Sequence, residues 1–128
     1  MDYYINKTVK GSFDHVIQNV TDALKEEGFG IITEIDVKET LKKKINVDFR
    51  QYKILGACNP VFAHKAIQVE ENIGVMLPCN VVVQEKIPGS VEIYVINPEN
   101  VIKSIGNPQL EKFSEEIYQK LKNVIDTV

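Results

Sequence analysis

The chain has 128 residues, 44% apolar and 26% charged, the size and balance of one globular domain, which excludes disordered and collagen-like sequences. Its net charge of −3 argues against a nucleic-acid partner, which calls for a basic surface. No apolar run approaches the ~18 residues of a membrane span, and Met1 to Asn6 show neither the basic start nor the apolar stretch of a signal peptide. The expected address is therefore cytoplasmic, without a membrane partner. Two cysteines are too few for a disulfide scaffold. No linker, low-complexity tract or repeat divides the chain, so a single domain over 1–128 is expected.

Alternation opens the chain. Tyr3, Ile5, Lys7 and Val9 share one face and Tyr4, Asn6, Thr8 and Lys10 the other, which predicts a half-buried strand. Gly11 breaks the pattern, and Ser12 is a sound N-cap for a helix striped by Phe13, Val16, Ile17, Val20, Ala23 and Leu24. Gly28 is free to take the left-handed conformation that ends it. A second strand, Phe29 to about Asp36, carries the β-branched run Ile31-Ile32-Thr33. The charged segment Val37 to Ile45 has a narrow stripe of Val37, Leu41 and Ile45, which predicts a surface helix. A third strand runs through Tyr52, Ile54, Leu55 and Ala57 to Cys58. Asn59-Pro60 then caps a helix reaching residue 71, with Phe62, Ala63, Ala66, Ile67 and Val69 on its buried side. Gly74 to Leu77 reads as extended and Pro78 as a break. A strand over Asn80 to Lys86 follows, and Pro88-Gly89-Ser90 turns it into a hairpin with Val91–Ile96. Asn97-Pro98 and Asn107-Pro108 repeat the capping signal. The second launches a long helix striped by Leu110, Phe113, Ile117, Leu121, Val124 and Ile125.

Without the short inserted helices, the order is strand–helix–four strands–helix. The hairpin makes the sheet largely antiparallel, and the first and last helices cover one of its faces. The predicted class is α+β, a two-layer curved sheet with two long helices on one side. A parallel α/β sheet is the rival, suggested by the alternation of strands and helices before residue 79. The hairpin and the thin second helix count against it.

Dinucleotide, P-loop, GxSxG, HExxH and CxxC signatures are absent. What remains is a pair of cysteines in related settings, Gly56-Ala57-Cys58-Asn59-Pro60 and Leu77-Pro78-Cys79-Asn80. Cys58 lies just before a helix N-cap, where unpaired N–H groups favour an anion. Gly56 leaves room for something to come close. Asn59 and Asn80 put donors and acceptors beside each sulfur. Candidate ligand-binding residues are thus Gly56, Cys58, Asn59, Cys79 and Asn80, with Cys58 and Cys79 also the catalytic candidates. Both cysteines lie at element boundaries flanking one helix, so they are expected to approach each other. Against this stands ordinary burial, because a free cysteine often packs as a small hydrophobe. His15 and His64 fall on the solvent sides of their helices, so no histidine–cysteine zinc site is expected. The two sulfurs alone suit a soft metal such as Cu(I). Lys38 and Lys42-Lys43-Lys44 are balanced by Glu34, Asp36 and Glu39 and read as a solvated face. Tyr3 and Tyr4 read as ordinary strand residues.

The run from Tyr52 to Pro60, with Ala63 and Ala66, Ile73-Gly74, and Leu77-Pro78-Cys79-Asn80-Val81-Val82-Val83 resembles the domain-of-unknown-function family three-zero-two. The likeness extends over nearly the whole chain, and its most specific parts are the two cysteine–asparagine motifs. It implies a TATA-binding-protein-like fold in agreement with the periodicity, and it implies no activity; a fold's name does not confer DNA binding. Two functions are weighed. The first is a binding module for a small ligand or soft metal near Cys58 and Cys79. The alternative is a thiol-dependent redox or sulfur-handling enzyme, with Cys58 as thiolate and Cys79 as partner. Neither names a cofactor. A second copy of the chain, as a homodimer, is the remaining partner expected.

Overall fold

The computed structural model describes residues 2–128. Its strands are β1 (Tyr4–Lys10), β2 (Gly30–Asp36), β3 (Tyr52–Cys58), β4 (Cys79–Ile87) and β5 (Ser90–Ile96). The helices are α1 (Phe13–Glu26), α2 (Val37–Ile45), α3 (Pro60–Val69), α4 (Pro98–Lys103) and α5 (Pro108–Thr127). The strands form one sheet in the order β1-β5-β4-β3-β2, with every neighbouring pair antiparallel. The α+β reading holds and the parallel rival falls.

Topology follows from local signals. Ser12 caps α1 by accepting from the His15 N–H at 3.3 Å, and Gly28, at φ 83°, turns the chain out of it. From β1 at one edge, α1 carries the chain across to β2 at the other. The meander β2-β3-β4-β5 then returns to β1. Ser90, Glu92, Tyr94 and Ile96 alternate with Val91, Ile93 and Val95, so β5 turns its three fully buried residues to one face. There they meet Leu55, Val81 and Val83 from the sheet, Val16, Val20 and Leu24 from α1, and Leu121, Val124 and Ile125 from α5. This is the two-layer core.

A second, smaller cluster joins Ala66 of α3, Ile73 and Leu110 of α5, flanked by Leu77, Ile102, Ile105 and Phe113. Asn107 ties it together. Its Oδ1 accepts from the Gln109 N–H at 3.0 Å, while its Nδ2 donates to the Val69 carbonyl at 2.9 Å and to Glu70 Oε1 at 3.0 Å. One capping residue thus fixes the end of α3 against the start of α5.

Two local expectations are corrected here. Of Gly74 to Leu77 only Leu77 is extended: Glu71–Met76 form a 3₁₀ helix, and α3 ends at Val69. With three residues per turn, Ile73 is buried while Val75 is 86% exposed, so their apparent alternation does not mark a strand. Ile67, expected on the buried side of α3, is 44% exposed.

Candidate functional site

Where β3 hands over to α3, Asn59 Oδ1 accepts from the Phe62 N–H at 3.3 Å, and Pro60 occupies the first turn. Where the 3₁₀ helix hands over to β4, Pro78 precedes Cys79. Between these handovers lies a cavity of about 80 Å³, partly open to solvent, whose walls also take in residues of α4 and α5. Its walls are almost wholly apolar: Phe29, Phe62, Ile73, Leu110, Phe113 and Ile117 with shorter neighbours. Phe62 and Phe113 pack against each other in this lining, with ring centroids 6.5 Å apart and planes tilted by 59°.

Cys58, Asn59 and Cys79 border this cavity. Gly56 and Asn80 do not. The space beside Gly56 is filled by the protein itself, since a Cβ there would run into Thr33 Oγ1 and come within 2.8 Å of Pro78 Cγ. Asn80 is exposed on the opposite face of the sheet.

The expectation that the two cysteines approach each other is corrected. Cys79 stands opposite Ala57 across the β3–β4 ladder, so Cys58 is one residue out of register with it and is not its cross-strand partner, although both border the cavity. Both thiols are free, and the two cysteines are not near each other. Burial pushes the Cys79 thiol up to about 11, with the charge of a Cys58 thiolate acting through space as the lesser cause. At neutral pH Cys79 is a protonated thiol in an apolar wall. A direct dithiol exchange has no geometry to work with. His15 and His64 are both exposed, as their helical positions predict. Among the described residues, no group of three histidine, cysteine, aspartate or glutamate side chains is placed to hold a metal ion, and no helix is long and apolar enough to cross a membrane.

The open face of the sheet holds residues that strand-by-strand inspection passes over. A depression of about 400 Å³ there is lined by Tyr3, Tyr4, Tyr52 and Tyr94, with Asn80, Val82 and Gln84 on its floor. The tyrosines come from three strands and the N-terminal approach to one of them. Their convergence depends on β1 pairing with β5, which no local pattern reveals. The period-2 alternation of Asn80, Val82 and Gln84 was the signal available.

No curated protein matches this chain. It is similar to a solved structure, the uncharacterized conserved protein DUF302 from Bacillus stearothermophilus, with a TM-score of 0.89 and 27% sequence identity over 98% of this chain and 97% of that one. The family model for the domain of unknown function DUF302 matches residues 5–128. That match spans nearly the whole chain: the chain belongs to the DUF302 family.

Proposed function

We propose that this protein is a binding module for a small apolar molecule, or for the apolar end of a larger one, taken up in the cavity bordered by Cys58 and Cys79. The observation that carries the reading is a cavity walled by aromatic and aliphatic side chains from α3, the 3₁₀ helix, α4 and α5 and from the ends of β3 and β5. Apolar cavities stay dry and take apolar guests, and one of ~150 Å³ admits benzene. At about 80 Å³ the present one accepts a smaller group as it stands, and a larger guest requires α4 or the 3₁₀ helix to swing outward. Those two elements are short, and the 3₁₀ helix turns Val75 outward to solvent. The Cys79 thiol, kept protonated by burial, is a weak donor that suits an apolar guest better than a cation. The chemistry of that donor also weighs against soft-metal capture, because metal ligation requires the thiolate.

Native mass spectrometry of freshly purified protein tests the reading. It predicts an adduct of small apolar mass that is lost in Ala66→Leu, which fills the cavity. An adduct that survives in Ala66→Leu, or a bound metal ion, contradicts it.

A further inference from the structure

The depression on the open face of the sheet is separate from that cavity. Val81 and Val83 point into the core, while Val82 and Gln84 alternate to the other side. Four of the five tyrosines in the chain line it. Tyr3 and Tyr4 meet edge to face at 5.0 Å, and Tyr4 meets Tyr94 in the same way at 5.1 Å, so the rings stand as walls at right angles to one another. Gln84 lies between Tyr52 and Glu92 on neighbouring strands. Although polar, it is only 8% exposed. Its Oε1 accepts from Arg50 Nε at 3.0 Å, which fixes the carboxamide and leaves Nε2 with no hydrogen-bond partner among the described residues.

We propose that this depression is a second ligand site, in which Tyr4, Tyr52 and Tyr94 wall in an uncharged planar heteroaromatic molecule, one ring stacking on its face and a perpendicular ring meeting its edge, while its acceptor edge takes a hydrogen bond from Gln84 Nε2. A volume of about 400 Å³ lies in the range of small-molecule pockets. Aromatic faces stack on any planar ring, and a carboxamide anchored by Arg50, with its remaining donor open to the depression, supplies the polar selection. Tyrosine walls also suit organic cations, but here two cations stand beside them. Arg50 lies 4.4 Å from the Phe49 ring centre and 5.7 Å from that of Tyr52, and Lys86 pairs with Glu92 at 3.4 Å. The Glu92 carboxylate is already engaged by that lysine and by the Tyr94 hydroxyl, which donates to it at 2.5 Å. Both contacts fall on Oε1, and the lysine beside it offsets its charge toward a cationic guest.

Protein-observed amide NMR, with adenosine and riboflavin titrated separately, tests the proposal. The expected result is saturable movement, with at least one of the two probes, of the Gln84 side-chain amide and of the backbone amides of Val82 and Tyr94. Cys79→Ala leaves that binding unchanged. Tyr52→Leu and Gln84→Met each weaken it about tenfold, the order of one lost stacking or hydrogen-bonding contact, and a dispersed spectrum verifies that each variant is folded. Should Tyr52→Leu fail to fold, Gln84→Met still removes the donor while keeping the bulk. Neither probe producing saturable shifts overturns the proposal. So do shifts that map to Cys79 and α5, or binding that is unchanged in Gln84→Met.

Discussion

Replacing Gly56 by alanine separates two explanations for the absence of a side chain at this position. If the glycine leaves room for a ligand, an added methyl blocks binding at little cost to the fold. The structure instead fills that room with Thr33, its cross-strand partner in β2, and with Pro78. The new Cβ would collide with Thr33 Oγ1 and sit 2.8 Å from Pro78 Cγ. A threonine hydroxyl can rotate away, whereas a proline ring has little freedom, so part of the strain persists after relaxation. Overpacking of this kind costs ~1–3 kcal/mol. The smaller entropy of the unfolded alanine chain returns ~0.4–1 kcal/mol, and the middle of each range leaves a net loss of about 1 kcal/mol. Urea unfolding followed by far-UV circular dichroism reads this as a lower midpoint with an unchanged slope. Thr33→Ala made in the Gly56→Ala background removes one of the two collisions, and the double-mutant cycle returns a coupling of at least ~0.5 kcal/mol in the rescuing direction. A Gly56→Ala protein as stable as the parent, or an absence of coupling to Thr33, refutes the close packing described here.

Leu121 of α5 is fully buried between α1 and the sheet, so Leu121→Ala loses ~2–5 kcal/mol in the same unfolding assay; a melting temperature equal to the parent's means that α5 is not docked as described. Cys79, whose thiol is raised from 9.0 to about 11, resists iodoacetamide near neutral pH in the folded protein and reacts as pH climbs toward 11, which peptide mapping measures. The linked stability has a definite sign. Between pH 9 and 11 the unfolded chain has lost a proton that the folded chain still holds, so Cys79 contributes a loss of stability as pH rises through that window. Cys79→Ala removes that part of the alkaline slope, and an unchanged slope contradicts the assigned burial.

Much of this architecture is legible residue by residue, because the signals are local. Asn59, Asn97 and Asn107 each precede a proline, and each caps the helix that follows. The stripes of α1 and α5 are continuous, and Leu24 and Leu121 are buried as their spacing predicts. Failures occur where the controlling fact is not local. Ile73, Val75 and Leu77 mimic a strand, yet a six-residue 3₁₀ helix sets their exposure. The cysteines stand at similar handovers, but the register between β3 and β4 pairs Cys79 with Ala57 rather than with Cys58. Tyr4 and Tyr94 are far apart along the chain and become neighbours only because β1 closes the sheet beside β5. A pairing of this kind between the first and last strands leaves no imprint on either segment alone.

The central claim is that the space between Cys79, Phe62 and Leu110 is an apolar ligand cavity. Diffraction from a crystal pressurised with xenon tests it most directly, because xenon enters dry apolar cavities without needing a polar anchor. The account predicts a xenon peak in that space in the parent protein and its absence in Ala66→Leu. A parent crystal with no xenon there, or with ordered water in its place, contradicts it.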